Sequence, residues 1–173
     1  TFYDLVKDQG AETTLQIGES TTVTVANDLT LSTGILNTGD NDVSVKGAFT
    51  IVEGASTVSG TASNGVVLNG SSTQQLSGGG TIAKLMIDNG EDVTIPTQSY
   101  AITFTDVVKL NNGVLDIGRN LLVIKKDAVF EGDGTDSFSS SNMVQTNLSF
   151  TDAGIRKFLP TGTSDFTYPI GAG

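Results

Sequence analysis

Carboxylates are the residues of this chain that most readily carry chemistry. Nineteen Asp and Glu stand against nine Lys and Arg among 173 residues, and the net charge is −10. There is no His and no Cys. The absence of His excludes the commonest general base, the commonest zinc ligand and a Ser-His-Asp triad. The absence of Cys excludes a disulfide framework and a thiolate metal site. Any catalysis must therefore rest on carboxylates, lysines and two arginines, Arg119 and Arg156.

The spacing of the carboxylates does not favour catalysis. Enzymes that cleave polysaccharides on repetitive β folds align carboxylates on one face, so Asp residues must recur at the repeat period. The Asp residues of the middle and later chain do not recur in this way. The acidic pairs Asp40/Asp42, Glu91/Asp92 and Asp133/Asp136 fall in segments that resemble turns, where Asp is favoured for local hydrogen bonding. We therefore predict no catalytic residues and no enzyme activity.

Two further segments invite a ligand. Residues 131–136, EGDGTD, crowd three carboxylates, which are oxygen ligands that calcium prefers. They lack the spacing of known calcium loops, so an exposed turn is the favoured interpretation, with a calcium site as the open alternative. Gly78-Gly79-Gly80 precedes a strand-like segment instead of a helix, which favours a tight corner over a phosphate loop. No metal, cofactor or cofactor-binding residue is predicted.

The elements that position these residues are repeats. Adding 79 to the positions of Val23–Ile51 gives Ile102–Phe130, with identities such as Gly34/Gly113 and Asn41/Asn120. Inside each copy apolar residues recur after 20 positions, as in Val23/Val43 and Leu29/Phe49 in the first copy, and Ile102/Leu122, Phe104/Ile124, Val108/Ala128 and Leu110/Phe130 in the second. A fixed period of this kind is typical of a solenoid, and the offset of 79 corresponds to about four turns of roughly 20 residues.

Alternation within each turn specifies the kind of solenoid. Val23-Thr24-Val25 places two side chains inward and one outward, as on a short strand, and Gly, Asn and Asp between strands suit corners. The pairs Val66/Leu68, Leu85/Ile87 and Val93/Ile95 follow the same pattern. We predict an all-β chain, a right-handed parallel β-helix of six to eight turns over residues 15–149. Residues 53–64 are predicted to form a polar loop, and residues 1–14 a lead-in or a cap made by Phe2, Tyr3, Leu5 and Val6.

A family resemblance emerges from the middle and end of the chain. The segments NGSSTQQLSGGGTIAKLMIDNGEDVTI and VVKLNNGVLDIGRNLLVI, followed by FLPTGTSDFTYPIGAG, resemble β-helix repeat regions of large secreted and cell-surface proteins of Bacteroidetes-type bacteria. The resemblance covers residues 60–173 well and 15–58 more loosely. It implies a right-handed parallel β-helix, export by the type IX route and a place in a modular surface protein. It implies no catalytic residue.

One segment departs from the alternation. If Leu122 and Ile124 point inward, then Leu121, Val123 and Val129 must point outward, and aliphatic side chains in a row need a cover. Phe158, Leu159, Phe166 and Tyr168 are available for this purpose. We predict that residues 150–173 leave the coil and pack on its outer face or its C-terminal end. The alternative is that another chain or domain covers the patch.

These observations lead to a functional expectation. The acidic charge argues against nucleic-acid binding and against anionic membrane surfaces, and no apolar run suggests membrane insertion. The start at Thr1 predicts a mature form or an excised domain. We expect a non-catalytic structural or adhesive module, located outside the cell or at its surface beside neighbouring domains of a larger polypeptide. Its expected partners are a polysaccharide or another surface protein. The alternative is a carbohydrate-binding or carbohydrate-active module.

Overall fold

The computed structural model describes residues 1–19, 21–97, 100–134, 137–146, 152–162 and 165–171. Strands and turns make up this part of the chain, which contains no helix and therefore no helix able to cross a membrane. The strands, in chain order, are β1 (Leu5–Lys7), β2 (Thr14–Gln16), β3 (Val23–Val25), β4 (Leu29–Leu31), β5 (Ile35–Gly39), β6 (Val43–Val45), β7 (Phe49–Ile51), β8 (Ser56–Ser59), β9 (Val66–Leu68), β10 (Gln74–Gly78), β11 (Thr81–Asp88), β12 (Val93–Thr94), β13 (Ile102–Asn112), β14 (Leu115–Gly118), β15 (Leu121–Ile124), β16 (Val129–Glu131), β17 (Val144–Thr146), β18 (Gly154–Lys157) and β19 (Ile170–Gly171).

Strand pairing is parallel throughout these strands and gives the coil three faces. Face 1 is the sheet β1-β4-β7-β10-β12-β14-β17-β19. Face 2 runs from β2 through β5, β8, β11, β13 and β15 to β18. Face 3 is formed by β3, β6, β9 and β16 together with the second halves of β11 and β13, which continue around the edge from face 2. The chain visits the faces in a fixed cycle, so the predicted parallel β-solenoid is confirmed, with about seven turns of about 22 residues.

The register confirms the short period in most places. Leu29 pairs with Phe49, and Ile102 pairs with Leu122, each at the predicted offset of 20 residues. The prediction for the last pairs of the second copy is wrong, because Val108 lies beside Phe130 and not beside Ala128. The chain takes two more residues to pass from Ile124 to Phe130 than from Phe104 to Val108, and this longer corner moves the register by two positions. A shift of two keeps each side chain on its original face of the strand.

The long repeat has a different meaning from the predicted four turns. Val23 lies on face 3, whereas its counterpart Ile102 lies on face 2, eleven sides of the coil later. An offset of 79 residues is thus three and two-thirds turns, and the second copy is rotated by one face. Stacking four turns above Val23 leads through Val43, Val66 and Leu85 to Val108. The sequence therefore repeats a unit made of a side and its corner, and any of the three corners can accommodate it.

The interior is filled by the inward side chains of all three faces. The predicted inward pairs on β3, β4, β6 and β7 are buried, and so are Val66/Leu68, Leu85/Ile87, Val93/Ile95 and Ile102/Phe104. Burial of one large aliphatic or aromatic side chain stabilises the fold by about 1.5–3 kcal/mol. Because each turn buries its inward residues against the turns above and below, the core is continuous along the coil.

The predicted loop over residues 53–64 contains a strand. β8 pairs with β5 and β11, and it completes face 2 between them. Its inward residue is Thr57, whose Oγ1 accepts a hydrogen bond from the backbone N–H of Ala83 at 2.9 Å, while Val58 points outward and is exposed. The usual pattern of apolar-in and polar-out is inverted here, so alternation gave no strand signal.

The N-terminal segment is part of the coil. β1 pairs with β4, with Leu5 beside Leu29, so residues 1–14 contribute to a first turn instead of an irregular lead-in. Leu5 packs against the core, but Phe2, Tyr3 and Val6 stay exposed, so the predicted aromatic cap is wrong for these three residues.

The C-terminal segment packs on the coil as expected, but it does not leave it. β18 pairs with β15 and β19 pairs with β17, so these strands add a further partial turn. Leu121 and Val123 are half-buried, with β18 beside them, and Val129 is exposed as predicted. Of the four tail residues expected to cover them, Phe166 packs against the core, with its ring centroid 6.0 Å from that of Phe130. Residues 147–151, 163–164 and 172–173 of this segment lie outside the described residues.

Candidate functional site

The acidic corner residues bind the backbone of the next turn. The N–H of Ala48 donates to Asp28 Oδ1 at 2.7 Å, and the N–H of Ala62 donates to Asp40 Oδ1 at 3.1 Å. Asp92 Oδ1 accepts from the N–H of Val114 at 2.8 Å. In each case the acceptor lies 20 to 22 residues before the donor, which is one turn of the coil. The predicted turn chemistry of Asp40 and Asp92 is confirmed, and it acts between turns as well as within them.

Asp42 makes the closest of these inter-turn contacts. Its Oδ1 accepts from the backbone N–H of Asn64 at 2.6 Å, and its Oδ2 accepts from Asn64 Nδ2 at 3.0 Å. A carboxylate that accepts two such bonds is held in place by charge-assisted hydrogen bonding. Asp42 therefore acts as a clamp between successive turns, and not as a free acid or base.

The identities of the long repeat are explained by corner hydrogen bonds. The N–H groups of Asn41 and Asn120 donate to the carbonyls of Thr38 and Ile117, which are themselves 79 residues apart. The side-chain amides of Asn41 and Asn120 donate to the same two carbonyls, and each also reaches a carbonyl of the preceding turn. The repeated residues thus close corners, and they do not mark a recurrent ligand site.

The acidic segment 131–136 is only partly described. Glu131 ends β16 and lies in register with Lys109, while Asp133 and Gly134 are exposed, in keeping with the predicted turn. Thr135 and Asp136 lie outside the described residues, so the calcium alternative stays a prediction. Across the described ranges, no group of three or more His, Cys, Asp or Glu residues is placed to hold a metal ion.

Gly78-Gly79-Gly80 form a tight corner, as predicted. Gly78 has φ +102°, and a Cβ there would lie 2.0 Å from the carbonyl oxygen of Ile51. The N–H groups of Gly79 and Gly80 both donate to that same oxygen, at 2.9 and 3.0 Å. These donors are therefore used to join two turns of the coil.

Three lysines that the sequence analysis did not single out tie corners together. Lys84 is buried, and its Nζ donates to the carbonyls of Gly60, Thr61 and Ser63 at 2.7, 3.1 and 3.2 Å. Asp106 Oδ2 lies 3.7 Å from the same nitrogen. Three carbonyls around one ammonium are what its three donors require, so Lys84 holds the corner at 60–63 against β11.

Lys7 and Lys157 repeat this arrangement near the two ends. Lys7 Nζ donates to Thr13 Oγ1 at 2.7 Å and to the carbonyl of Gln9. Lys157 Nζ donates to the carbonyls of Lys125, Lys126 and Ala128 at 2.8, 2.8 and 2.6 Å, and it lies 4.8 Å from the centroid of the Phe166 ring.

The position of Lys157 also affects its protonation. Burial lowers the pKa of its ammonium below the usual value, and the nearby Asp127 carboxylate opposes this shift. A signal for Lys7 was present in the sequence, since it is two residues after the inward Leu5 and shares its side of the strand.

Buried amides satisfy the other corners. Gln74 Nε2 donates to the carbonyls of Val45 and Gly47 at 3.0 and 2.6 Å, and Gln74 Oε1 accepts from Asn89 Nδ2 at 2.9 Å. Asn142 Nδ2 donates to the carbonyl of Ser137 at 2.9 Å. These groups occupy inward positions where an apolar residue is expected, and they carry hydrogen bonds that the corner backbone needs.

The outer faces carry mostly small polar side chains. On face 1 the outward residues Thr30, Thr50 and Ser77 lie in register, and the hydroxyls of Thr50 and Ser77 are 3.0 Å apart. On face 3 the outward row changes character along the coil, from Thr24 and Ser44 through Val67 and Met86 to Lys109 and Glu131.

Depressions on this surface are small. One of about 180 Å³ is lined by the corner at 61–64 together with Lys84, Lys109 and Glu131. Its buried lysine is already engaged with three carbonyls. A second, of about 410 Å³, lies at the C-terminal end beside Phe138, Met143 and Tyr168.

Comparisons with protein-family models, with curated proteins and with solved structures give no match for this chain.

Proposed function

We propose that this chain is a non-catalytic structural and adhesive module of an exported bacterial surface protein, a stiff rod with lateral faces available to a partner. The observation that supports the proposal is the use of its charged side chains. Asp28, Asp40, Asp42, Asp92 and Lys84 all bind the backbone of another turn or corner. Such contacts resist separation of the turns, which is the requirement for a load-bearing rod.

The dimensions suit this role. Parallel strands lie 4.7–4.9 Å apart, so about seven turns make a coil roughly 33 Å long. A force along the coil axis acts on the inter-turn hydrogen bonds of all three faces and on the clamps at the corners. A partner, a polysaccharide or another surface protein, is proposed to contact the lateral faces, where Thr and Ser predominate on face 1.

Single-molecule force spectroscopy tests the mechanical part of the proposal. The chain is held between well-characterised marker domains and extended at constant speed. We expect force-resisting steps whose total gain in length is roughly 570 Å, the extended length of 173 residues less that of the coil. The Asp42→Ala variant is expected to unfold at lower force than the wild type, whereas the exposed Glu53→Ala variant is expected to match it. Extension of the wild type without measurable resistance would reject a load-bearing role.

The alternative, carbohydrate binding, calls for a groove with two or more exposed aromatic rings beside carboxylates. The nearest arrangement within the described residues is the pair Phe166 and Tyr168, with ring centroids 4.7 Å apart. Tyr168 is exposed and Phe166 is packed against the core, so one ring of the two is presented. A glycan array on the isolated chain, with and without calcium, tests this alternative. A saturable hit that is lost in Tyr168→Ala would favour it over the purely structural role.

A further inference from the structure

The two ends of the coil are unlike in charge. The first end, which we call the head, consists of the edge strands β1 and β2 with their flanking residues 1–19. It carries Asp8, Glu12 and Glu19 at exposed positions. The opposite end, the tail, consists of the edge strands β18 and β19 with the neighbouring corner after β15. It carries the exposed basic residues Lys125, Lys126 and Arg156.

The concentration of positive charge at the tail stands out in an acidic chain. Five of the nine basic residues lie between 119 and 157, although the net charge is −10. The ammonium of Lys157 is turned to internal carbonyls, but the side chains of Lys125, Lys126 and Arg156 face solvent. Asp127, Asp152 and Asp165 also occur in this region, so the basic character is that of a local cluster.

Both ends also expose parts of the core. Ile170 lies in the inward row of face 1, in register with Val144, yet half of its surface is exposed because no strand covers it. Ile155, in register with Leu122, is half-buried for the same reason. At the head, Leu5 and Leu15 occupy inward rows and are also half-buried. Each end thus combines an incomplete apolar core with the free edges of parallel strands, which can pair with another chain.

We propose that a second copy of this chain stacks head to tail on the first, so that the coil continues from one molecule into the next. Charge selects the partner, because tail against head brings Lys126 and Arg156 towards Asp8 and Glu12, whereas head against head and tail against tail place like charges together. A head-to-tail contact does not close on itself, so it generates linear assemblies. This inference extends the proposed rod to longer rods and depends on it only for the shape of the single molecule.

Charge reversal at either end tests the stacking. Sedimentation velocity is measured over a range of protein concentrations in low salt for the wild type and for two double variants. The reversed-head variant is Asp8→Lys with Glu12→Lys, and the reversed-tail variant is Lys126→Glu with Arg156→Glu. We expect concentration-dependent association of the wild type and at least about tenfold weaker association of each variant alone. A mixture of the two variants is expected to associate again, because opposite charges then meet at both kinds of contact.

A matched control separates end charge from net charge. Glu53→Lys with Glu91→Lys changes the net charge by the same amount as the reversed head, but at exposed positions on middle turns. This control is expected to associate like the wild type, and 0.5 M salt is expected to weaken association of both. Circular dichroism spectra and thermal melts of all variants establish that each is folded.

Two results would overturn stacking. A wild type that stays monomeric at every concentration in low salt would do so, and so would association that is equal in the reversed-head, reversed-tail and control proteins. Small-angle scattering distinguishes end-to-end growth, in which the maximum dimension rises by one coil length per molecule, from side-by-side association, which would also reject the proposal. A monomer that resists force as described above would leave the rod function standing while rejecting the stacking.

Discussion

Replacement of Lys84 by Met removes the ammonium at the centre of a corner and keeps the length of the side chain. The ammonium donates to the carbonyls of Gly60, Thr61 and Ser63 from a buried position. Hydrogen bonds to a charged group contribute about 1.5–3 kcal/mol each. The desolvation of the ammonium offsets a large part of their sum, and the corner can turn its carbonyls towards water. We expect a net loss in the free energy of unfolding of about 3 kcal/mol.

The ion pair of Lys84 contributes less than its hydrogen bonds. Asp106 lies 3.7 Å away, but half of its side-chain surface is exposed, and pairs of this kind contribute below about 1 kcal/mol. Asp106→Asn is therefore expected to change the free energy of unfolding by less than about 1 kcal/mol. Lys109→Met is the matched control for the loss of a lysine, since Lys109 lies in the adjacent strand and points outward.

Urea unfolding followed by circular dichroism measures these changes, and limited proteolysis reports on the corner itself. Lys84→Met is expected to lower the unfolding midpoint and to make the chain at residues 60–63 more susceptible to cleavage. Lys109→Met is expected to do neither. If Lys84→Met lies within about 1 kcal/mol of the wild type, or if Asp106→Asn costs as much as Lys84→Met, the carbonyl clamp is not what stabilises this corner.

Three further predictions concern a corner glycine, a corner carboxylate and a buried ammonium. Gly113→Ala is expected to cost about 3 kcal/mol or more in urea unfolding, because φ is +103° and the new Cβ would lie 1.9 Å from a backbone oxygen, whereas Gly134→Ala, at φ +88° in open space, is expected to cost about 1–2 kcal/mol; equal losses would contradict the steric argument. Asp42→Ala is expected to cost about 1–2 kcal/mol in thermal unfolding through the loss of two inter-turn hydrogen bonds, and an unchanged melting temperature would refute its role as a clamp. The pKa of Lys157, measured by carbon-13 NMR of the labelled side chain, is expected to lie below the usual lysine value and to fall further in Asp127→Asn, because the carboxylate favours the charged amine; a rise in that variant would contradict the assignment.

Much of the coil was predictable because its signals are local. Alternation over three residues identified Val23/Val25, Leu29/Leu31 and Ile102/Phe104 as inward pairs, and all of them are buried. Strand alternation depends only on the backbone geometry of neighbouring residues, so it is visible without knowledge of the partner strand. Corner residues were visible for the same reason, since Gly, Asn and Asp are favoured by the local conformation of turns.

Stacking could not be derived in this way. The register between turns depends on the number of residues in each corner, which changes between Phe104–Val108 and Ile124–Phe130 without altering the alternation on either side. The rotation of the long repeat by one face follows from the same variation. A strand with an inverted pattern, such as the one containing Thr57, is recognised only when the strands on both sides of it are in place.

The sequence by itself determined that this chain is a parallel β-solenoid with apolar inward pairs and polar corners, because those properties follow from a period repeated within a few residues. Only the tertiary structure decided what the charged residues do. Asp42 and Lys84 are ordinary polar residues in the sequence, and they become clamps because the coil brings Asn64 and the corner at 60–63 beside them from one turn away. Contacts between residues about 22 positions apart depend on the pitch and the corner lengths of the whole coil. The local pattern contains neither quantity.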